Sequence, residues 1–448
     1  MLQDQKRYRV ALYTMGCKTN QYDSGRVAAE FASAGFQLVP FHEPADVYVI
    51  NTCTVTAEAD REARSAARRA LARSPEALVV ATGCYPGVDA GAFAALPGVQ
   101  LVGGNDLKPQ LVARVCALLA SREPGGRRNG AVEAGAAAAS TSSSPARPVS
   151  PNGRTRQVVK VEEGCNYRCA YCVVPYARGK ARSRPLAEIL AEVRQHAEEG
   201  CREVVLTGTC IGSFGHDLSP QSSLAECAAA VAAVPGIARV RISSIEPWQV
   251  TDALVALVAE NPVLCPHFHL PLQSADDSVR RRMRRPGTSA RFADLVAGIR
   301  ARLPEAGITT DVIVGFPGES DAAFAATRDF CQQMAFSRLH VFRYSPRPFT
   351  PAAELPDQVP KAVAEARSRE LIRLGNEQSE AFARRWLGRV VSVLVEGPHG
   401  SQGWQEGLTG NYVRVRFTGT PAARGTLVNV AVEGVEAGCL LGKVQADD

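Results

Sequence analysis

Three cysteines fall in one short loop, Gly164-Cys165-Asn166-Tyr167-Arg168-Cys169-Ala170-Tyr171-Cys172, directly after the apolar run Val158-Val159-Lys160-Val161. Thiols so close in sequence share one common purpose, to grip a metal centre. A cubane iron–sulfur cluster offers four iron corners and usually takes four cysteinates, so a loop with three leaves one iron open to a small-molecule ligand. A three-cysteine zinc site completed by histidine or water is the alternative that the residues alone leave open.

The chain has 448 residues, room for about three domains of roughly 150 residues each. With 46% hydrophobic and 21% charged residues it has the balance of a globular protein rather than of a disordered one. Its start, Met1-Leu2-Gln3-Asp4-Gln5-Lys6-Arg7-Tyr8, has neither the pattern of a signal peptide nor that of a membrane span, so a cytoplasmic protein with no membrane partner is expected. The 13 cysteines, an odd number with no export signal, argue against a disulfide framework and for thiolates used as ligands in a reducing compartment. Cys116, Cys201, Cys227, Cys265, Cys331 and Cys439 stand alone and are expected to pack as small hydrophobes. A formal net charge of +6 permits a polyanionic partner without demanding one.

From Arg9 to about Ala120, apolar strand-like runs alternate with helix-like segments, the rhythm of an open α/β sheet. The first, third and fourth runs each lead into a turn bearing a cysteine: Met15-Gly16-Cys17, Asn51-Thr52-Cys53 and Thr82-Gly83-Cys84. Ligands of open α/β sheets sit beyond the carboxyl ends of the strands, so Cys17, Cys53 and Cys84 should converge as a second three-cysteine cluster. Three unrelated buried thiols are the bland alternative.

After Ala120 the composition shifts to Gly125-Gly126-Arg127-Arg128, an alanine run and Ser140-Thr141-Ser142-Ser143-Ser144, which reads as a flexible linker. Six strand-helix units then follow, with candidate strands at 158–162, 203–206, 239–243, 267–270, 311–314 and 339–342, and they point to a barrel-like parallel sheet. The cysteine loop, Thr207-Gly208-Thr209, Ser243-Ser244-Ile245-Glu246-Pro247, Gln273-Ser274 and Gly315-Phe316-Pro317-Gly318-Glu319 would lie at its strand carboxyl ends, where active sites gather. Arg280-Arg281-Arg282-Met283-Arg284-Arg285 reads as a helical patch of repelling cations, relieved either by nucleic-acid phosphates or, as a solvated face, by ion pairs to Asp276, Asp277 or distant acids. Beyond a charged helical run to about Trp386, short alternating segments between glycine-rich turns indicate a small β-barrel of about sixty residues, with Arg414 and Arg416 on one face able to meet phosphate. The expected division is 1–122, linker 123–156, 157–386 and 387–448.

The spacing of Cys165, Cys169 and Cys172, with the aromatic Tyr171 before the last thiol, resembles the signature of the radical S-adenosylmethionine enzymes. A three-cysteine α/β domain, such a barrel and a terminal β-barrel, in that order, resemble the methylthiotransferase family, whose last module is called TRAM. The stretches 16–24, 51–56 and 241–247 are most similar to its MtaB-type branch, which converts threonylcarbamoyladenosine beside the tRNA anticodon to the 2-methylthio form. The resemblance implies a radical S-adenosylmethionine partial (β/α)6 barrel and two [4Fe–4S] clusters. Cys165, Cys169 and Cys172 would hold the one that reductively splits S-adenosylmethionine. Cys17, Cys53 and Cys84 would hold the auxiliary one, which carries the sulfur. It further implies a tRNA partner and a flavodoxin- or ferredoxin-like electron donor. Tyr171, Ser244, Glu246, Gln273 and Glu319 are candidate cofactor or substrate contacts, and Arg280, Arg281, Arg284, Arg285, Arg414 and Arg416 candidate RNA contacts. Cys210 departs from the branch, where histidine is expected, and is read as a packing substitution. The nearest rivals are isopentenyladenosine in tRNA, or a ribosomal-protein aspartate, as substrate. A non-catalytic zinc-containing RNA-binding protein is the rival of another class.

Overall fold

The computed structural model describes residues 7–122, 155–400 and 403–445, so most of the segment read as a linker lies outside the described residues. Contacts divide the chain into two units. The first holds residues up to 122 with 164–167 and 172–180; the second holds 155–163, 168–171 and 181–445.

In the first unit a five-stranded parallel sheet is formed by β1 (Arg9–Thr14), β2 (Gln37–Val39), β3 (Val47–Thr52), β4 (Leu78–Gly83) and β5 (Val99–Val102), in the order β2-β1-β3-β4-β5. Every residue of β3 and β4 is buried, because helices cover both faces of the sheet. Alternation sends Val47 and Val49 toward Phe31, Leu111 and Val115, and Tyr48 and Ile50 toward Ala63, Ala66, Ala67 and Ala70. Those four alanines form one stripe of helix Ala57–Arg73, whose start is fixed by Thr56 accepting from Ala59 N at 3.2 Å.

In the second unit, β6 (Arg156–Lys160), β9 (Glu203–Thr207) and β10 (Arg239–Ile242) form one parallel sheet, after the short hairpin pair β7 (Glu162–Glu163) and β8 (Arg182–Ser183). β11 (His267–His269), β12 (Gly307–Val314) and β13 (Arg338–Arg343) form a second. Single bridges, Val240 to Leu264 and Ser244 to His269, join the two into the expected six-stranded partial barrel. Ile308, Val312 and Val314 of β12 face the core that contains Phe292, Val296 and Ile299 of helix Ser289–Arg302. The expected strand at 311–314 began four residues late, that at 158–162 was shifted by two, and those at 239–243 and 267–270 ran one residue too far.

The terminal module is a closed barrel of β14 (Val390–Pro398), β15 (Gln405–Thr409), β16 (Arg414–Thr418), β17 (Leu427–Glu436) and β18 (Cys439–Val444), as a TRAM domain requires. Two buried arginines of β10 tie it to the partial barrel: Arg239 donates to the Leu408 and Ser392 carbonyls, and Arg241 to those of Thr409 and Gly410. Both cations lean on the fully buried Glu203, 2.9 Å from Arg241 and 3.7 Å from Arg239. Of the lone cysteines, Cys227, Cys265, Cys331 and Cys439 are buried as expected, and Cys201 is half-buried. Cys116 is exposed, because its position on helix Leu111–Ala120 turns away from the stripe of Leu111, Val115 and Leu119.

The first unit also holds a buried charge cluster, in which Lys108 Nζ lies 2.6 Å and Arg178 Nη2 3.4 Å from Asp23 Oδ2. Removing the carboxylate strands two cations out of water. Asp23→Ala should therefore destabilise this unit by about 3–5 kcal/mol, read as lost amide-exchange protection in β1, β3 and β4.

Candidate active site

The strands that carry Cys17, Cys53 and Cys84, namely β1, β3 and β4, are neighbours in the sheet, so their turns emerge side by side at its carboxyl edge. Buried amides and hydroxyls lace the turns together. Asn20 Nδ2 donates to the carbonyls of Met15 (2.9 Å) and Thr52 (2.8 Å), and Asn51 Nδ2 to the Asn20 carbonyl (2.9 Å). Thr52 Oγ1 donates to the Thr82 carbonyl (2.8 Å) and accepts from Tyr85 N (3.1 Å). Two glycines are demanded by this crowding. Gly16 has φ 87°, and a Cβ there would lie 2.8 Å from Cys53 Sγ; Gly83 has φ 104°, and a Cβ there would lie 2.6 Å from Asn51 Oδ1.

The sulfur environment suits an anionic group larger than a single ion. Burial pushes the Cys53 thiol up to about 11, with Cys84 and Cys17 close enough to raise it further. Among the described residues the three thiols do not form a group with all sulfurs within 4.8 Å of one another, as one zinc ion bound at about 2.3 Å from each would require. Asn105 Nδ2 lies 3.8 Å from Cys84 Sγ, and its Oδ1 accepts from Lys108 Nζ at 2.7 Å. Burial lowers the pKa of Lys108, opposed by Asp23 and, more weakly, by Cys84. Lys108 and Arg178 against one Asp23 leave an excess positive charge beside Asn105 and Cys84.

Of the cysteine loop, Cys165 and Cys172 are half-buried and Cys169 is buried. Cys165 N donates to the Gly179 carbonyl at 3.0 Å. In the second unit, Ala170 N donates to the Met283 carbonyl and Ala352 N to that of Ala170, both at 2.9 Å. Burial raises the Cys169 thiol, and the nearby Arg285 guanidinium opposes that rise.

Arg285 corrects the reading of the arginine run. It is buried, donates to Glu246 Oε2 at 2.6 Å, to the Pro271 carbonyl at 2.7 Å and to Tyr171 Oη at 3.1 Å, and lies over the Trp248 ring. Arg280 is buried too and donates to the Leu272, Ser274 and Pro286 carbonyls. Neither can meet RNA phosphate. The helix spans only Asp277–Arg282, and Arg284 adopts φ 54°, so the expected repelling pairs do not form; Arg281 and Arg284 are exposed. The run is mostly a device for bracing internal loops.

Around the strand ends of the second unit several buried polar atoms have no partner among the described residues: Gln273 Oε1, Glu319 Oε1, Ser243 Oγ, Thr209 Oγ1 and Glu162 Oε1. Gln273 also sits at φ 66°, a conformation that costs a residue with a side chain and tends to persist at functional sites. Glu319 Oε2 accepts from Gly315 N and Arg367 Nη1, both at 2.7 Å, which shapes the glycine loop. Ser244 is exposed at its bridge to His269. Such orphaned acceptors and hydroxyls fit a zwitterionic, hydroxyl-rich ligand such as S-adenosylmethionine. Cys210 is buried, its N–H donating to Glu162 Oε2 at 2.8 Å and its Sγ 3.4 Å from both Ser213 Oγ and Gln249 Oε1. Sequence reasoning missed Glu162, Asn20 and Asn51; a buried-strand context was the signal available for Glu162 and Asn51, and Asn20, in the helix Lys18–Ser33, carried none.

Residues 159–331 match the model of the radical SAM superfamily, and residues 9–104 match that of the uncharacterized protein family UPF0004. The threonylcarbamoyladenosine tRNA methylthiotransferase MtaB of Bacillus subtilis (strain 168) is 35% identical over 426 residues, covering 94% of this chain and 93% of that protein. The chain belongs to the radical S-adenosylmethionine methylthiotransferase family. A tRNA-2-methylthio-N(6)-dimethylallyladenosine synthase of Chloroflexus aurantiacus is also 35% identical, over 99% of this chain and 92% of that protein. The radical S-adenosylmethionine methyltransferase TsrM from Kitasatospora setae, solved with cobalamin and a [4Fe-4S] cluster, superposes with a TM-score of 0.55 at 16% identity, covering 78% of this chain and 74% of that one, a likeness of fold alone. This methylthiotransferase is an enzyme that transfers a sulfur-containing group, and its family's cofactors are two [4Fe–4S] clusters and S-adenosylmethionine. The non-catalytic zinc reading is thereby overturned.

Glu162 gives a pH test. Burial raises its carboxyl to about 8, against hydrogen bonds from the Cys210 and Thr209 amides that lower it. The folded state then holds a proton that the unfolded chain releases near pH 4.3, so this residue costs stability progressively as pH rises from about 4.3 to about 8. Denaturant titrations of wild type and Glu162→Gln should accordingly diverge in favour of the variant across that window and run parallel above it.

Proposed function

We propose that the chain converts N6-threonylcarbamoyladenosine, next to the tRNA anticodon, to its 2-methylthio derivative. The observation that carries this reading is the match along 94% of the chain to a protein named for that reaction. The branch-like stretches 16–24, 51–56 and 241–247 support it. Equal identity to a dimethylallyladenosine synthase keeps that nucleoside as the second reading.

Cys165, Cys169 and Cys172 hold one cluster, and Cys17, Cys53 and Cys84 the other. When bound, these groups supply a one-electron cleavage of S-adenosylmethionine and the transferable sulfur, with the electron drawn from a flavodoxin- or ferredoxin-like donor. The protein's own part is orientation and charge. Arg285 holds Tyr171 and Glu246 in place and offsets the charge of Cys169. Gln273 Oε1 and Glu319 Oε1 offer acceptors to an ammonium or ribose hydroxyl, and Ser244 offers a hydroxyl at the strand end. Such an enzyme works where tRNA is, in the cytoplasm; no helix among the described residues is long and apolar enough to cross a membrane.

RNA binding falls to the terminal module. Arg414 and Arg416 line a cavity of ≈ 510 Å³ together with Arg338, Asn376 and Ser379. Arg416 lies opposite Glu406 in the β15–β16 ladder and 3.8 Å from Glu436, and Arg414 is exposed. Each phosphate contact removed should weaken binding across sequences and flatten its salt dependence. Arg338→Glu with Arg414→Glu is thus expected to lower tRNA affinity by roughly 10-fold or more at low salt, with a shallower slope of log affinity against log salt.

Iron and sulfide analysis of anaerobically reconstituted protein tests the cluster assignment. Wild type should hold about eight iron per chain, and the Cys17, Cys53, Cys84→Ala variant about four. Wild type with only about four would remove the auxiliary site. Mass spectrometry of tRNA nucleosides from a deletion strain tests the substrate: loss of the 2-methylthio mark from threonylcarbamoyladenosine supports the first reading, and its loss from dimethylallyladenosine supports the second.

A further inference from the structure

His269, Asp311 and His340 belong to none of the motifs above. They come from three adjacent strands, with Asp311 directly opposite His340 in the β12–β13 ladder. His269 Nε2 and His340 Nδ1 each lie 3.1 Å from the same oxygen, Asp311 Oδ1. The two imidazoles stack, 5.3 Å between centroids and 27° between planes, and His269 Nδ1 is 2.8 Å from Thr309 Oγ1. Both nitrogens of His269 are therefore engaged, whereas His340 Nε2 has no partner among the described residues.

Strand alternation fixes the direction in which this row looks. Ile308, Val312 and Val314 face the helix-covered core, so Thr309, Asp311 and Ile313 face the inside of the partial barrel. Ile313 packs there with Ala170 of the cysteine loop, Met283 and Phe316. Side-chain exposure rises from 13% at His269 and 21% at Asp311 to 36% at His340, which makes His340 Nε2 the atom presented to a ligand.

We propose that His340, braced by Asp311 and His269, binds the carboxylate of the amino-acid-bearing N6 substituent of the substrate nucleoside. This rests on the threonylcarbamoyladenosine reading and assigns the atoms that would enforce it. Burial would raise the Asp311 carboxyl, yet the hydrogen bonds from His269 and His340 outweigh it and hold the group well below the usual range, so it stays ionised. A second carboxylate arriving at Nε2 would place the His340 ring between two anionic acceptors, so that a ring donating from both nitrogens makes a charge-assisted bond to each. An apolar N6 substituent would leave that donor and Asp311 unmatched, the kind of mismatch by which a hydrogen-bonding site rejects analogues most strongly. His340 is then a specificity-determining contact, and Asp311 and His269 are positioning residues.

The test uses reconstituted holoenzyme and anticodon stem-loop RNAs carrying threonylcarbamoyladenosine, its uncharged threoninamide analogue, or dimethylallyladenosine. Wild type should prefer the carboxylate over the carboxamide by roughly 10–100-fold in kcat/KM, expressed mainly in KM. His340→Gln should bring that ratio close to one, and Asp311→Asn should lower it, with iron content confirming that each variant is loaded. Equal use of acid and amide by wild type, or an unchanged ratio in a loaded His340→Gln enzyme, overturns the assignment while leaving the substrate reading intact. Wild type that modifies only the dimethylallyl RNA overturns both. One divalent ion per chain beyond the cluster iron, lost in His340→Gln, would also overturn it by making the row a metal site.

Discussion

A parallel strand can hand a ligand to its neighbours only at its carboxyl end, because the following turn leaves the sheet there. In the first unit this places Cys17, Cys53 and Cys84 on three adjacent turns, at strand spacings of about 4.8 Å. The turns keep this spread because Asn20, Asn51 and Thr52 bond across them, and because Gly16 and Gly83 leave no Cβ in the gap. The same constraint governs the second unit, where the orphaned atoms of Ser243, Gln273 and Glu319 collect beyond β10, β11 and β12.

Buried charge is the second organising element. Asp23 pairs with Lys108 and Arg178, Glu203 with Arg239 and Arg241, Glu246 with Arg285, and Glu319 with Arg367. Such pairs add little net stability, since desolvation offsets most of the attraction, but breaking one is expensive. Their use here is placement. Arg285 spends remaining N–H groups on the Pro271 carbonyl and the Tyr171 hydroxyl, Arg367 on the Glu319 carbonyl, and Arg239 and Arg241 on carbonyls of the terminal barrel, which a hydrophobic contact could not orient.

That economy also sets the limits of what the sequence disclosed. The cysteine spacing, the strand-turn-cysteine rhythm and the six-unit barrel were legible because each is a local pattern with a fixed period. The closed terminal barrel was legible as a class, although β15 and β18 were not read as strands, since Gln405-Glu406-Gly407 and Gly442-Lys443 break the apolar alternation. The arginine run was misread at Arg285 because the acid that neutralises it lies 39 residues away, and at Arg280 because its carbonyl partners belong to irregular loops that the helical pattern did not show. Long-range partners leave no mark in a window of sequence. The His269–Asp311–His340 row escaped for the same reason: three single residues on three strands have no local spacing at all.

The two arginines of β10 have a geometric consequence for how RNA must be read. By holding the Ser392, Leu408, Thr409 and Gly410 carbonyls, they fix the terminal barrel against the partial barrel, so the arginine-lined cavity and the strand ends keep one relationship. That cavity opens at Ser337 and Arg338, the amino end of β13, whereas the orphaned acceptors lie beyond the carboxyl ends. A six-residue strand spans roughly 20 Å. On the proposed reading, phosphates held at the cavity would lie toward the amino end of β13, away from the acceptors at the carboxyl ends, and their contacts would bear on affinity. His340, on the inner face between the two ends, is placed to act on choice of nucleoside. On these two proposals, affinity and discrimination would fall to different residues of one continuous strand, Arg338 and His340, two positions apart on β13.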